Sequence, residues 1–241
     1  RGDTPSERAP NLEYLTSARY GVDELHTADV CCVIADCTGR IALGAAAALA
    51  AKFEYSDIYG ARSVLPGATC PKHLRPDPGS ITVRRAPKGV KGPTIIYLYS
   101  HLHPGPCSRS AQAASPVRDS HTHRVQWFER AIDTASEHFT GKRVVVMLEA
   151  AGASLSEQRE MVRVLRECSH SHSTATFTGV FYSAAAMHRA RESCEPALRE
   201  LGHAERSAHR FVDQIEDPVE RATLHALASA LANDASREYS E

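Results

Sequence analysis

The sequence predicts an α/β protein with a mostly parallel sheet that is covered by helices on both faces. With 241 residues, the chain is long enough for one domain with a proper core and an extension. From about Tyr14 to Phe181, short apolar runs alternate with amphipathic segments. Strands that alternate with helices favour a parallel sheet between two helical layers.

The individual elements follow from the hydrophobic pattern. Strands are predicted at 30–35, 80–84, 94–99, 143–148 and 176–182, and helices at 44–53, 123–138 and 156–167. In the second helix, Trp127, Phe128 and Ala131 recur on one face at helical spacing. Residues 62–79 and 103–122 are rich in Pro and other turn residues. Loops of this length inside a compact domain are usually binding loops or disordered segments.

Three segments are expected along the chain. Residues 1–12 are polar and are predicted to be a loose tail, residues 13–185 form the α/β domain, and residues 186–241 form a helical extension. In the extension, Asp217 and Pro218 have the order of a helix start. An amphipathic stripe follows, and it leaves two options open: packing against the domain or docking on another subunit.

Charge and cysteine usage limit the functional classes. The formal net charge is −1, which indicates no broad binding to DNA or anionic membranes. No apolar run approaches the roughly 20 residues that a membrane span needs. The seven Cys lack the spacing of a zinc site or disulfide framework, which favours a reducing intracellular compartment. A chain that starts at Arg1 fits either trimming or removal of a leader, so a mitochondrial and a cytoplasmic location both stay open.

Residues 28–53 predict a site for an anionic group. A buried apolar run at Val30–Ile34 ends in a short polar turn, and an Ala-rich helix follows. Small residues in such a turn let the backbone come close to a ligand, and the free N–H groups of the first helical turn point at it.

The same residues resemble the macro domains, in particular the branch that removes ADP-ribose from carboxylate side chains, the terminal ADP-ribose protein glycohydrolases. Leu43–Gly44 and the Ala residues after it match the loop and helix start of that branch, and Ala51-Lys52-Phe53 matches the helix end. Later strands resemble the family in the same order, at 79–83, 94–99, 144–147 and 177–182. The resemblance covers residues 18–185 and implies a three-layer α/β/α macro-like domain.

The resemblance also implies which residues surround a nucleotide. Asp23 stands where the family has the acidic residue that contacts adenine, although a solvated loop carboxylate is the alternative. The remaining expected ligand contacts are Ala35, Asp36, Gly44, Ala45, Gly152 and Ser154. Ala46 occupies the place of the family's second glycine in the phosphate loop.

The catalytic positions depart from the family. His101 stands where the glycohydrolase branch has its nucleophilic Lys, and an imidazole does not easily replace that amine. The late loop has no Asp, and its nearest carboxylate is Glu157. Ser154 and Glu157 also have the spacing of a capping box, which favours a structural role. His101 and Glu157 are therefore the only catalytic candidates, and a glycohydrolase of the usual mechanism is not expected.

The His-x-His pairs raise the question of a metal site. The pairs are His101/His103, His121/His123 and His170/His172. The first two, with Cys107, converge only if the 103–122 loop folds back. Because none of the usual ligand spacings is present, we predict no metal and no cofactor.

Three functional hypotheses follow. The first is a degenerate, non-catalytic macro-like domain that serves as an accessory subunit and contacts protein partners through its C-terminal helices. The second is a binding module for ADP-ribose or a related nucleotide. The third is an ADP-ribosyl hydrolase that uses His101 and Glu157 in an altered mechanism. A fold resemblance does not choose among them, because function depends on the site.

Overall fold

The structure of the chain is a computed structural model. It describes residues 11–17, 25, 27–42, 44–63, 70–105, 107, 119–148, 153–182, 184 and 187. Asp23 and Gly152, two of the expected ligand contacts, lie outside the described residues. The predicted helical extension also lies outside them, apart from Met187.

The described residues form six strands and four α-helices. The strands are β1 (Leu12–Thr16), β2 (Val30–Asp36), β3 (Ile81–Arg84), β4 (Thr94–His101), β5 (Arg143–Met147) and β6 (Thr176–Phe181). The helices are α1 (Gly44–Lys52), α2 (Gly60–Ser63), α3 (His121–Ala135) and α4 (Leu155–Ser171). Short 3-10 turns occur at Glu54–Ser56, Lys72–Leu74 and Ser136–His138.

All six strands belong to one mixed sheet in the order β1-β6-β5-β2-β4-β3. Only β3 runs antiparallel to its neighbour, and the other neighbouring pairs are parallel. In β2 every residue before Asp36 is buried, as a central strand requires. The predicted mostly parallel sheet is confirmed.

Helices cover the sheet on both faces. On one face, Cys31, Val33 and Ala35 of β2 share a core cluster with Ala46 and Leu49 of α1. On the other face, α3 packs against β4 and α4, and α4 packs against β6. This division follows from the right-handed crossover connections of parallel strands. The chain moves from β2 towards β4 but from β5 towards β6, which are opposite directions across the sheet. Right-handed connections in opposite directions place their helices on opposite faces. The α/β class predicted from the sequence is confirmed.

Several elements differ from the sequence prediction, and two of them show the physical cause. The first is β1, an edge strand that the apolar pattern did not reveal because most of its side chains are partly or fully exposed. Asn11 anchors it, since its Nδ2 donates hydrogen bonds to three carbonyl oxygens in and just after α4. The second is α3, which begins at His121 because the Ser120 side chain accepts a hydrogen bond from the His123 N–H.

None of the helices that the structure describes combines the length and apolar composition that a bilayer crossing needs.

Candidate functional site

The order of the strands creates a topological switch point at one edge of the sheet, where the carboxyl ends of the strands lie. Strands β2 and β5 are parallel neighbours, and the chain leaves their carboxyl ends in opposite directions. In open α/β sheets, ligands bind outside the carboxyl ends of strands at such a topological switch point. Because α1 follows β2 and α4 follows β5, both helices begin at this edge. We call it the switch-point edge.

The turn after β2 is fixed by Asp36. Its carboxylate accepts hydrogen bonds from the Gly39 N–H and from the Tyr59 hydroxyl, the latter at 3.3 Å. Burial raises the pKa of Asp36, while these hydrogen bonds oppose the rise. A Cβ at position 39 would meet the Asp36 carboxylate, which would have to shift away from its place beside the Gly39 N–H.

Arg62 of α2 binds the backbone of the same turn. Its guanidinium donates to the carbonyl oxygens of Asp36 at 3.3 Å and Gly39 at 3.2 Å. It also lies over the Tyr59 ring, 4.9 Å from the ring centre. Arg62 is buried, so the protein holds its positive charge in place against the turn. Sequence reasoning missed both Tyr59 and Arg62, because nothing in the local pattern links them to the turn.

The first residues of helix α1 are Gly and Ala, so this end of the helix carries no large side chain. Gly44, its first residue, has φ of 54°, a conformation that residues with a Cβ rarely adopt. The methyl groups of Ala45 and Ala46 are buried in the core cluster beneath the helix. Ala35, on β2, is buried in the same cluster. Two of the predicted ligand contacts, Ala35 and Ala45, are therefore core residues that offer no side chain to a ligand.

His101, the catalytic candidate at the end of β4, is buried. Its side chain is only 2% exposed, and Nδ1 lies 2.9 Å from the Ser100 Oγ. Among the described residues, Nε2 has no hydrogen-bond partner. Burial, helped by the charge of Arg124, lowers the pKa of His101 to about 3, so the imidazole is neutral at neutral pH.

The burial of His101 predicts a specific acid sensitivity. The unfolded imidazole has a pKa of about 6.5, so below that pH the unfolded chain binds one more proton than the folded chain. Between about pH 6.5 and pH 3, His101 should therefore lower the free energy of unfolding by about 1.4 kcal/mol per pH unit as the pH falls. Urea denaturation at a series of pH values should show a shallower dependence in His101→Gln than in the parent. Equal pH dependence in the two proteins would refute this effect.

A buried ion pair joins the loop after β4 to the start of α3. Arg124 Nε lies 2.7 Å from one carboxylate oxygen of Asp119, and its NH2 group lies 2.8 Å from the other. The Arg124 side chain is fully buried, and that of Asp119 is 3% exposed. Burial would raise the pKa of Asp119, but the hydrogen bonds and charge of Arg124 bring it below its usual value. Arg124 also donates to the Gly105 carbonyl at 3.0 Å, which ties the loop to the helix.

Glu157, the other catalytic candidate, has a structural role in this arrangement. Ser154 and Glu157 form the capping box of α4, with each side chain accepting a hydrogen bond from the other residue's backbone N–H. The second carboxylate oxygen lies 3.0 Å from His121 Nδ1 and 3.7 Å from Arg124 Nη1. The Glu157 side chain is fully buried. The capping role predicted from the sequence is confirmed.

Histidines of the first two His-x-His pairs contact different parts of the structure. His103 Nδ1 lies 2.9 Å from the Thr38 hydroxyl, whereas the His123 ring stacks on Trp127. Within the described part of the chain, the ligand-type atoms that do converge belong to Cys107, His121 and Glu157, all within 4.8 Å of one another.

The fold is an α/β domain with a mostly parallel sheet, and two of its helices follow the strands that meet at the switch-point edge. No protein-family model matches the sequence, and no curated protein does.

Two similar solved structures are macrodomains from Oceanobacillus iheyensis. One, with MES bound, is 10% identical with a TM-score of 0.46, over 80% of this chain and 96% of that chain. The other, a mutant with ADPR, is 11% identical with a TM-score of 0.48, over 80% and 97%. The chemistry of the site therefore has to be inferred from the residues of this chain.

Proposed function

We propose that this chain is a macro-like module that binds ADP-ribose and does not hydrolyse it. One observation carries the proposal: the topological switch point between β2 and β5, with helix starts at the same edge. A diphosphate placed there meets the free N–H groups of α1, where Gly44 adds no side chain.

The preference for ADP-ribose rests on the sequence around this edge. The run from Ala28 to Phe53 resembles the strand, phosphate loop and helix of macro domains, and in the structure it includes β2, the turn and α1. The turn is fixed before any ligand arrives, because Asp36 and Arg62 already bind its backbone groups. A preformed backbone cradle loses little conformational entropy on binding.

The environment of the two candidate side chains supports the proposed absence of hydrolysis. His101 is buried and held by Ser100, which disfavours attack by its imidazole on a sugar bound at the switch-point edge. The Glu157 carboxylate is buried, caps α4 through one oxygen and contacts His121 and Arg124 through the other, which disfavours a role as a general acid or base. These contacts disfavour the altered-hydrolase hypothesis.

An accessory role in a larger assembly is compatible with this binding function. It depends on residues 186–241, which lie outside the described part of the chain except for Met187. Docking of a protein partner by these residues stays a prediction from their amphipathic sequence.

Thermal denaturation with and without ADP-ribose tests binding. A ligand present at 100 times its Kd should stabilise the folded state by about 2.7 kcal/mol, whereas adenosine, which lacks the phosphates, should stabilise it much less. Equal effects of the two ligands, or none, would count against a phosphate-directed site.

Incubation with a protein that carries ADP-ribose on glutamate side chains tests the second half of the proposal. We expect no release of free ADP-ribose above that of a heat-denatured control. Release that depends on His101 or Glu157 would show that the module is a hydrolase.

A further inference from the structure

A cluster of metal-ligating side chains lies where α3 and α4 begin. His121 is the first residue of α3, Glu157 lies in the first turn of α4, and Cys107 lies in the segment that follows β4. Glu157 Oε1 lies 3.0 Å from His121 Nδ1 and 3.8 Å from Cys107 Sγ. One thiol, one imidazole and one carboxylate thus face a common point.

We propose that Cys107, His121 and Glu157 bind a divalent cation of the zinc class. Sulfur, nitrogen and oxygen ligands in one site are characteristic of Zn²⁺, which binds them at about 2.0–2.3 Å. In a tetrahedral site, those bond lengths place neighbouring ligand atoms about 3.3–3.6 Å apart. The observed ligand atoms lie within 4.8 Å of one another, so changes in side-chain torsion angles of modest size bring them to the metal.

The charges at the cluster are compatible with a cation. Arg124 lies near Glu157, but its guanidinium is bound at two points by Asp119, which balances its charge. A cysteine thiolate and the Glu157 carboxylate supply two negative charges, which match a divalent ion.

Binding of the metal does not require loss of the helix cap. Glu157 accepts the Ser154 N–H with Oε2, whereas Oε1 is the oxygen that faces His121 and Cys107. The His121 side chain is 55% exposed, which gives an ion a path to the site and leaves a fourth position open to water. A bound ion would tie the loop at Cys107 to the starts of both helices.

Titration of the metal-free full chain with Co²⁺, a spectroscopic substitute for Zn²⁺, tests the proposal. We expect a sulfur-to-cobalt charge-transfer band that Zn²⁺ abolishes by displacement. Cys107→Ser should remove this band, and His121→Ala should weaken metal binding at least about 100-fold, because loss of a direct ligand exceeds the 10–100-fold typical of outer-shell partners. His121 is exposed, so its removal should leave the far-ultraviolet circular dichroism spectrum unchanged.

Cys168→Ser is the matched control. Cys168 Sγ lies 3.7 Å from His172 Nδ1, and among the described residues no third ligand joins this pair. The control should bind Co²⁺ and Zn²⁺ as the parent does. The proposal is overturned if the parent shows no thiolate band, or if Cys107→Ser and His121→Ala bind the metal as tightly as Cys168→Ser.

Discussion

Replacement of Arg124 by Ala is expected to lower the free energy of unfolding by about 3–5 kcal/mol, because it removes the buried cation that contacts both oxygens of the buried Asp119 carboxylate. The same change removes the hydrogen bond to the Gly105 carbonyl, which holds the loop after β4. Urea denaturation followed by circular dichroism measures the loss. Arg124→Lys should recover only part of it, since an ammonium group cannot bind both carboxylate oxygens in the planar geometry of a guanidinium.

Arg163→Ala provides the control for this prediction. Arg163 lies on α4 and contacts Glu160 at 2.9 Å and Glu167 at 2.7 Å, but all three side chains are substantially exposed. Ion pairs of this kind contribute about 0–1 kcal/mol. Similar losses for Arg163→Ala and Arg124→Ala would show that burial of the Arg124 pair does not have the importance assigned to it.

Replacement of Gly44 by Val is expected to weaken ADP-ribose binding at least about tenfold. A branched side chain disfavours the φ of 54° at this position and so displaces the first turn of α1, whose N–H groups we expect to bind the phosphates. Calorimetric titration of the folded variant measures the change in Kd.

Gly89→Val is a matched control for the backbone strain that a branched residue causes at a positive φ. Gly89 has φ of 87° and open space around it, and it lies between β3 and β4 at the amino end of β4, away from the switch-point edge. It should lower stability through the same backbone strain yet leave the affinity for ADP-ribose unchanged. If both variants lose affinity equally, the effect of Gly44→Val does not come from the phosphate-binding turn.

The fold was accessible from the sequence because its central strands are apolar on both faces. Runs such as Val30–Ile34 and Thr94–Tyr99 have few polar interruptions, which is the property of strands covered by helices on both sides. The edge strand β1 lacked this property, since most of its side chains meet solvent to some degree.

The polar part of the site was less accessible, because its contacts join residues that are distant in sequence. Arg62 and Tyr59 meet the Asp36 turn through tertiary packing alone. The sequence does contain a sign that Arg124 is buried. Arg124 falls on the apolar face of α3, three and four positions before Trp127 and Phe128. A charged residue on such a face indicates a buried ion pair, although the partner Asp119 is not identified by the pattern.

The cluster of Cys107, His121 and Glu157 shows a related limit of motif-based reasoning. The sequence predicts no metal, because the His-x-His spacing does not match a known ligand pattern. In the structure, only one member of any His-x-His pair belongs to the cluster, and the carboxylate comes from a different helix. Convergence was set by the packing of α3 against α4 and not by local spacing.

The most direct test of the central proposal is a calorimetric titration of the full chain with ADP-ribose. We predict binding in the micromolar range, with affinity retained in Gly89→Val and reduced in Gly44→Val. If no heat of binding is observed at millimolar ADP-ribose, the switch-point edge does not hold this nucleotide, and the proposed function is wrong.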